Sequence, residues 1–170
     1  MDVQTLSRLV TQLLRAAEME GLSGEERSEV DLGNLVDAIA GYLRPTAAMG
    51  GKSITRDGDK SAMIHGCTET IGQAITNLVE NALVHTAPGS SVDITVEGGE
   101  HPEIRVRDHG PGVPEAEREL VFQRFWRQDR RKGGGAGLGL SIVRRAMELH
   151  RGRVWVEAAA GGGAVFVLRF

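Results

Sequence analysis

Between Gly133 and Arg145 the chain passes from a glycine-rich run directly into an amphipathic segment. Gly135, Gly137 and Gly139 recur at every second position. Glycine tolerates positive φ and lets another group approach the backbone closely. From Leu140 onward the spacing becomes helical: Leu140, Val143 and Met147 form one row, and Ile142, Ala146 and Leu149 the next. A glycine loop therefore opens onto a helix N-terminus, where free N–H groups and partial positive charge suit a phosphate. By itself this arrangement is as compatible with a plain turn as with an anion site, so other stretches must agree with it.

Composition narrows the classes. The 170 residues amount to about one domain with some room to spare. A 41% apolar content can build a core, and a net charge of −3 argues against nucleic-acid binding driven by bulk charge. Cys67 is the single cysteine, which rules out an intrachain disulfide and a cysteine-based zinc site and fits a reducing compartment. No apolar run reaches the roughly 18 residues of a membrane span.

At the N-terminus, Val3, Leu6, Val10, Leu13 and Ala17 trace a heptad seam that asks for a partner helix. A polar break follows, from Gly21 to Ser28. Asp31 is placed to cap a helix containing Leu35, Val36, Ile39, Ala40 and Leu43, with Pro45 expected to weaken or kink it. Residues 53–56 and 62–65 read as a hairpin around Asp57-Gly58.

Residues 68–85 read as a long helix with Ile71, Ile75, Leu78, Val79 and Ala82 on its apolar face. Asn77 and Asn81, one turn apart, project from one side. Asparagine is a mediocre helix former, so helix propensity does not account for the pair. Val92, Ile94 and Val96 alternate as a half-buried strand, and Ile104, Val106 and Asp108 as another. The second strand delivers Asp108 to its core face just before Gly110-Pro-Gly112. A buried carboxylate needs a donor, and an amine on a flat heterocycle would serve. Pro114 is expected to open a short helix, followed by an apolar cluster of Val121, Phe122, Phe125 and Trp126 and then by a basic segment. Residues 153–158 and 164–170 read as a closing hairpin around Gly161-Gly-Gly163.

The expected fold is α+β, a two-layer α/β sandwich with helices on one face of a mixed sheet. An Asn pair on a helix, an Asp at a strand end, a basic lid and a glycine loop together point to a purine nucleoside triphosphate with Mg²⁺, an ion that takes oxygen ligands. The glycine run lacks the Gly-Lys-Ser/Thr ending of a Walker loop, and no βαβ unit surrounds it.

These stretches resemble the catalytic ATP-binding domain of bacterial sensor histidine kinases, in the superfamily that also holds gyrase, heat-shock chaperone and mismatch-repair ATPases. Residues 77–86, Asn-Leu-Val-Glu-Asn-Ala-Leu-Val-His-Thr, look like its N box, and residues 108–112, Asp-His-Gly-Pro-Gly, like its first glycine box. Phe122-Gln-Arg-Phe125 resembles its F box and Gly135-Ala-Gly137-Leu138-Gly139-Leu140 its second glycine box. The resemblance implies a Bergerat-type ATP-binding fold over residues 30–170. It implies that residues 1–20 are the end of a dimerisation helix and residues 21–29 a linker. On that reading Asn81 holds Mg²⁺, Asn77 borders the phosphates and Asp108 accepts from the adenine 6-amino group. Gly110 and Gly112 shape the base pocket, Val113 is among the nucleotide-binding residues, Arg127 reaches the phosphates from the lid, and the contact that Val84 cannot make is either lost or supplied by His85 or the lid. Phe122 and Phe125 anchor the lid, and Gly135, Gly137, Leu138, Gly139 and Leu140 approach the nucleotide. Asn77 and Arg127 are the residues assigned to catalysis.

The implied reaction moves the γ-phosphoryl of ATP to a histidine on a dimerisation domain and then to an aspartate on a response regulator. The parent protein would sit in the bacterial inner membrane with this domain on the cytoplasmic side, and the N-terminal seam could pair two copies. Departures from the family pattern are plain. None of the five histidines has a His-Glu/Asp-x-x-x-Pro setting, Val84 stands where lysine is usual, the lid is short, and Ala164 replaces a hydroxyl residue. Two other readings remain open: a superfamily ATPase or serine kinase, and a silent nucleotide-binding scaffold. Asn77 in place of a carboxylate speaks against the ATPase, because an amide cannot activate water.

Overall fold

The structure, a computed structural model, describes Val10, Thr11, Leu13, Leu14, Ala17 and residues 26–127 and 139–170. Val10, Thr11, Leu13, Leu14 and Ala17 are helical and exposed; Val3 and Leu6 of the seam and most of the linker lie outside the described residues. The chain then runs β1 (Ser28–Asp31), α1 (Leu32–Met49), β2 (Ser53–Gly58), β3 (Met63–Gly66), α2 (Thr68–His85), β4 (Ser91–Glu97) and β5 (Glu103–Arg107). Two 3-10 turns, Glu115–Glu117 and Leu120–Phe122, precede α3 (Gly139–Leu149), β6 (Arg153–Ala158) and β7 (Ala164–Arg169). The α+β sandwich is as expected: a five-stranded sheet in the order β2-β4-β5-β7-β6, parallel only between β2 and β4, with the helices packed on its apolar face.

Asp31 caps α1 as its position predicts. Its Oδ1 accepts from Gly33 N at 2.9 Å and Asn34 N at 3.4 Å, and its Oδ2 accepts from the Ser61 hydroxyl at 2.8 Å. The Ser61 hydroxyl is the main cause that holds this carboxyl below its ordinary range. The helix continues through Pro45 to Met49.

The expected hairpin around Asp57-Gly58 is not formed. β2 instead pairs in parallel with β4, from Ser53↔Ser91 to Gly58↔Val96, and β3 pairs antiparallel with β1 in a separate two-stranded sheet. Gly58 carries positive φ (87°), but it serves a close approach: an added Cβ would lie 2.1 Å from Val96 O. Alternation in the sequence specifies a strand but not its partner, and here the neighbour is more than thirty residues away. The short helix expected after Pro114 is replaced by the two 3-10 turns.

On the outer face of the sheet, Glu103 is buried and accepts from Arg105 Nη1 at 3.0 Å and Arg169 Nε at 2.6 Å. Arg105 also reaches Glu157, and Arg169 stacks 5.1 Å from the Trp155 ring centroid. Charges of both signs thus close over the sheet and leave β5, β6 and β7 fixed in register.

α2 and α3 are tied at their far ends by His150. Its Nδ1–H donates to Ala146 O at 2.7 Å, and its Nε2 accepts from Cys67 N at 3.0 Å, so the neutral ring is the form that fits both partners. Burial is the main cause that pushes its pKa below the ordinary value of about 6.5, and the Arg27 guanidinium adds to it. A depressed histidine contributes stability above its unfolded pKa, and that contribution is lost as pH falls through the folded value. The urea midpoint of the wild type should therefore fall between pH 7.5 and pH 5, and His150→Gln should remove part of that slope. Parallel slopes for the two proteins would contradict the assignment.

Candidate functional site

α2 buries Ile71, Ala74, Ile75, Leu78, Val79 and Ala82 against the core. Asn77 is on the same helix and only 5% exposed, and its Nδ2 finds no partner among the described residues. A buried amide N–H without an acceptor is costly, which marks Asn77 as a residue kept for something other than packing. Asn81, one turn on, is half-buried, and His85 and Val84 in the last turn are exposed. Lys52 Nζ reaches the Leu83 carbonyl from the turn before β2, placing a cation at the negative end of the helix dipole.

Asp108 follows β5 directly and is 3% exposed. Its N–H donates to Ala164 O at 2.9 Å, and its Oδ1 accepts from Ala164 N at 3.1 Å and Gly110 N at 3.0 Å. The donors expected for this carboxylate are thus in part backbone groups, and both fall on one oxygen. The loop after it rests on the end of α2: His109 N donates to Thr86 Oγ1 at 3.2 Å, and a Cβ on Gly110 would lie 2.5 Å from His85 O. On the other side, Gly163 has φ 89°, and its Cβ would meet Asp108 O at 2.1 Å. Gly112 has φ 79° and packs near Gly163 O.

The fold therefore brings the C-terminal end of the Asn77–Asn81–His85 helix against the Asp108–Gly112 loop and the β6–β7 turn. Phe122 is buried, edge-to-face with Phe166 at 6.1 Å between centroids, and the Arg144 guanidinium lies 4.8 Å from its ring centre. Phe125 departs from the expected apolar cluster. It has φ 64° and is 59% exposed, because the left-handed backbone turns its ring away from the core that Phe122 enters. Val113, Trp126 and Leu140 pack half-buried on the core. Arg127 is half-buried at the end of the described stretch, and Gly139 starts α3 with open space around it. Gly135, Gly137 and Leu138 lie outside the described residues.

A cleft of about 390 Å³ opens elsewhere, between α3 and β6, lined by Glu119, Arg144, Met147, Glu148 and residues 152–155. None of the expected site residues borders it. Thr86, quoted above only as the end of the 77–86 stretch, and Ser91 and Asp93, given no role there, support the loop through His109; the histidine beside Asp108 was the available signal.

Comparison with known proteins identifies the family. The family described as "Histidine kinase-, DNA gyrase B-, and HSP90-like ATPase" matches residues 66–170. The adaptive-response sensory kinase SasA of Crocosphaera subtropica is 29% identical over 168 residues, covering 96% of this chain and 44% of SasA. The probable sensor histidine kinase TcrY of Mycobacterium tuberculosis is 34% identical, covering 94% of this chain and 34% of TcrY. The chain thus spans less than half the length of these curated relatives. Among solved structures, the mycobacterial sensor histidine kinase MprB superposes with a TM-score of 0.76 at 27% identity, covering 85% of this chain and 97% of that one. Full-length ShkA in complex with AMPPNP superposes with a TM-score of 0.82 at 30% identity, covering 96% of this chain and 35% of that one. ThkA in complex with the response regulator protein TrrA gives 0.79 at 26% identity, covering 97% of this chain and 47% of that one. The chain belongs to the histidine kinase-, DNA gyrase B- and HSP90-like ATPase family, as an ATP-binding catalytic domain of the sensor histidine kinase type.

Proposed function

We propose that this chain binds ATP between α2 and the Asp108 loop and presents its γ-phosphoryl to a histidine on a dimerisation domain, for relay to a response regulator. The observation that carries the reading is Asp108: it is buried, has one oxygen held by two backbone donors, and stands at the end of the helix that carries both asparagines. Asp108 Oδ2 is the acceptor offered to the adenine 6-amino group, with Gly110, Gly112 and Val113 around the base. The orphaned Asn77 Nδ2 is a donor suited to a phosphate oxygen. Arg127 supplies countercharge, His85 offers a ring N–H to the phosphates, and Gly139 and Leu140 at the start of α3 approach the nucleotide; Gly135, Gly137 and Leu138, outside the described residues, keep the binding role the resemblance implies.

The donor set fits a magnesium ion: Asn81 offers a neutral amide oxygen, and the remaining ligands of such an ion are phosphate oxygens and water. When bound, Mg²⁺ supplies neutralisation of charge on the β and γ phosphates. The residues of this chain bind and orient; none of the described residues is placed as a general base, and the attacking imidazole comes from the dimerisation domain. Asn81→Ala is expected to remove most of the Mg²⁺ dependence of ATP binding, by about tenfold or more in the ratio of affinities with and without the ion. Unchanged metal dependence in calorimetry would contradict that role.

In the same reading, residues 1–20 are the end of a dimerisation helix, residues 21–29 a linker and residues 30–170 the catalytic domain. The exposed Val10, Leu13 and Leu14 support pairing of that helix, in a dimer or with the phosphoacceptor helix. The parent kinase is placed at the bacterial inner membrane with this domain on the cytoplasmic side. Mixing the domain with a separately produced phosphoacceptor domain and γ-labelled ATP tests the activity. Label on the acceptor histidine is expected; tight ATP binding with no transfer would favour the silent scaffold.

A further inference from the structure

We propose that His109 is a positioning residue that holds Asp108 in the orientation that selects adenine; this rests on the nucleotide reading above. Asp108 is fixed on one side by the sheet, through Ala164 at the start of β7. On the other side its path depends on the loop through Gly110-Pro-Gly112, where Gly112 takes positive φ and Pro111, though its own φ is fixed, has no N–H with which to tie the loop to a neighbouring element. His109 supplies the missing restraint from both its backbone and its side chain. Its N–H donates to Thr86 Oγ1 at 3.2 Å, and Thr86 is 2% exposed at the end of α2. Its Nδ1–H donates to Ser91 O at 2.7 Å, at the first residue of β4. Nε2 faces Asp93 Oδ2 at 3.5 Å. Asp93 is itself held, its Oδ1 accepting from the hydroxyls of Thr55 at 2.8 Å and Ser91 at 2.6 Å.

The imidazole thus reaches from the loop to β4, and through Asp93 to β2. Oδ1 of Asp108 accepts from Gly110 N, so the orientation of the carboxylate follows the position of the Gly110 peptide. Loosening residue 109 frees that peptide. The oxygen aimed at the adenine amine then wanders, while the phosphate contacts from α2 are untouched. A misplaced acceptor loses base selection rather than overall binding.

The test compares ATP with inosine triphosphate, which carries an oxo group in place of the 6-amine, by calorimetry with Mg²⁺ present. The wild type is expected to prefer ATP. His109→Ala should lower that preference by about three- to tenfold, the range of one well-placed hydrogen bond, with inosine triphosphate affinity unchanged. His109→Asn, whose amide can still donate to Ser91 O, should stay within about twofold of the wild-type preference. The ratio is the readout because a merely structural role would lower both affinities together with the melting temperature. Equal losses for the two nucleotides in His109→Ala overturn the proposal, as does an unchanged ratio. Should His109→Ala not fold, His109→Gln takes its place, with a reduced preference expected and an unchanged one overturning the assignment. A wild type with no preference for ATP would overturn both this proposal and the adenine role of Asp108, whereas a discriminating wild type with an indifferent variant removes only the role of His109.

Discussion

Asp108→Asn should weaken ATP binding by about 30- to 1000-fold while changing folding stability by about 1 kcal/mol or less. The asymmetry follows from how the two oxygens are used. Oδ1 accepts from Gly110 N and Ala164 N. An asparagine can keep its amide oxygen at that position and so preserve both bonds. Its NH₂ then lies where the carboxylate offered Oδ2, and a donor faces the donor of the adenine amine. The variant loses a bond to the nucleotide and leaves two N–H groups opposed in a dry pocket, the case in which polar mismatch is most expensive. Calorimetric titration with ATP and a urea melt of the same preparation read the two effects separately. An unchanged ATP affinity would remove Asp108 from the base pocket.

Gly163→Ala is the second large effect, and here folding and binding should fail together. Gly163 adopts φ 89°, and an added Cβ would stand 2.1 Å from the Asp108 carbonyl oxygen and 3.2 Å from His109 Cα. Both obstacles are backbone atoms, so no rotamer change relieves them. Asp108 is joined to Ala164 in both directions, its N–H donating to Ala164 O and its Oδ1 accepting from Ala164 N, and the strain therefore passes to the carboxylate itself. The expected cost is about 2–4 kcal/mol in stability, with ATP affinity falling by tenfold or more in whatever fraction folds. Gly41→Ala is the matched control. It sits in α1 with no atom within 4 Å of the added carbon, so it should be neutral or stabilise by up to about 1 kcal/mol. A Gly163→Ala protein as stable as wild type would show that the close approach of the two loops is not needed.

The parts of this molecule that could be read in the sequence are those whose signal is local. The period of α2, the capping by Asp31, the alternation of β4 and β5 and the apolar run of β7 are set by neighbouring residues, and each element appears where its pattern puts it. Asp108 was legible because an acid on the apolar face of a strand violates its own alternation. What failed was non-local. The strands near Asp57-Gly58 pair with β4 and β1 rather than with each other, because a turn-compatible dipeptide also serves where a strand passes close to another backbone. Phe125 looks like core by composition, yet a positive φ turns it outward. The support of the Asp108 loop by Thr86, Ser91 and Asp93 depends on three elements meeting at one corner of the sheet, and no spacing in the chain encodes it.

A crystal structure of the domain with a non-hydrolysable ATP analogue and Mg²⁺ tests the central claim most directly. The predicted result places the adenine 6-amino group within hydrogen-bond distance of Asp108 Oδ2, a phosphate oxygen at Asn77 and the metal on the Asn81 side-chain oxygen. A nucleotide seated elsewhere, for instance in the cleft between α3 and β6, with Asp108 left to its backbone donors alone, would contradict it.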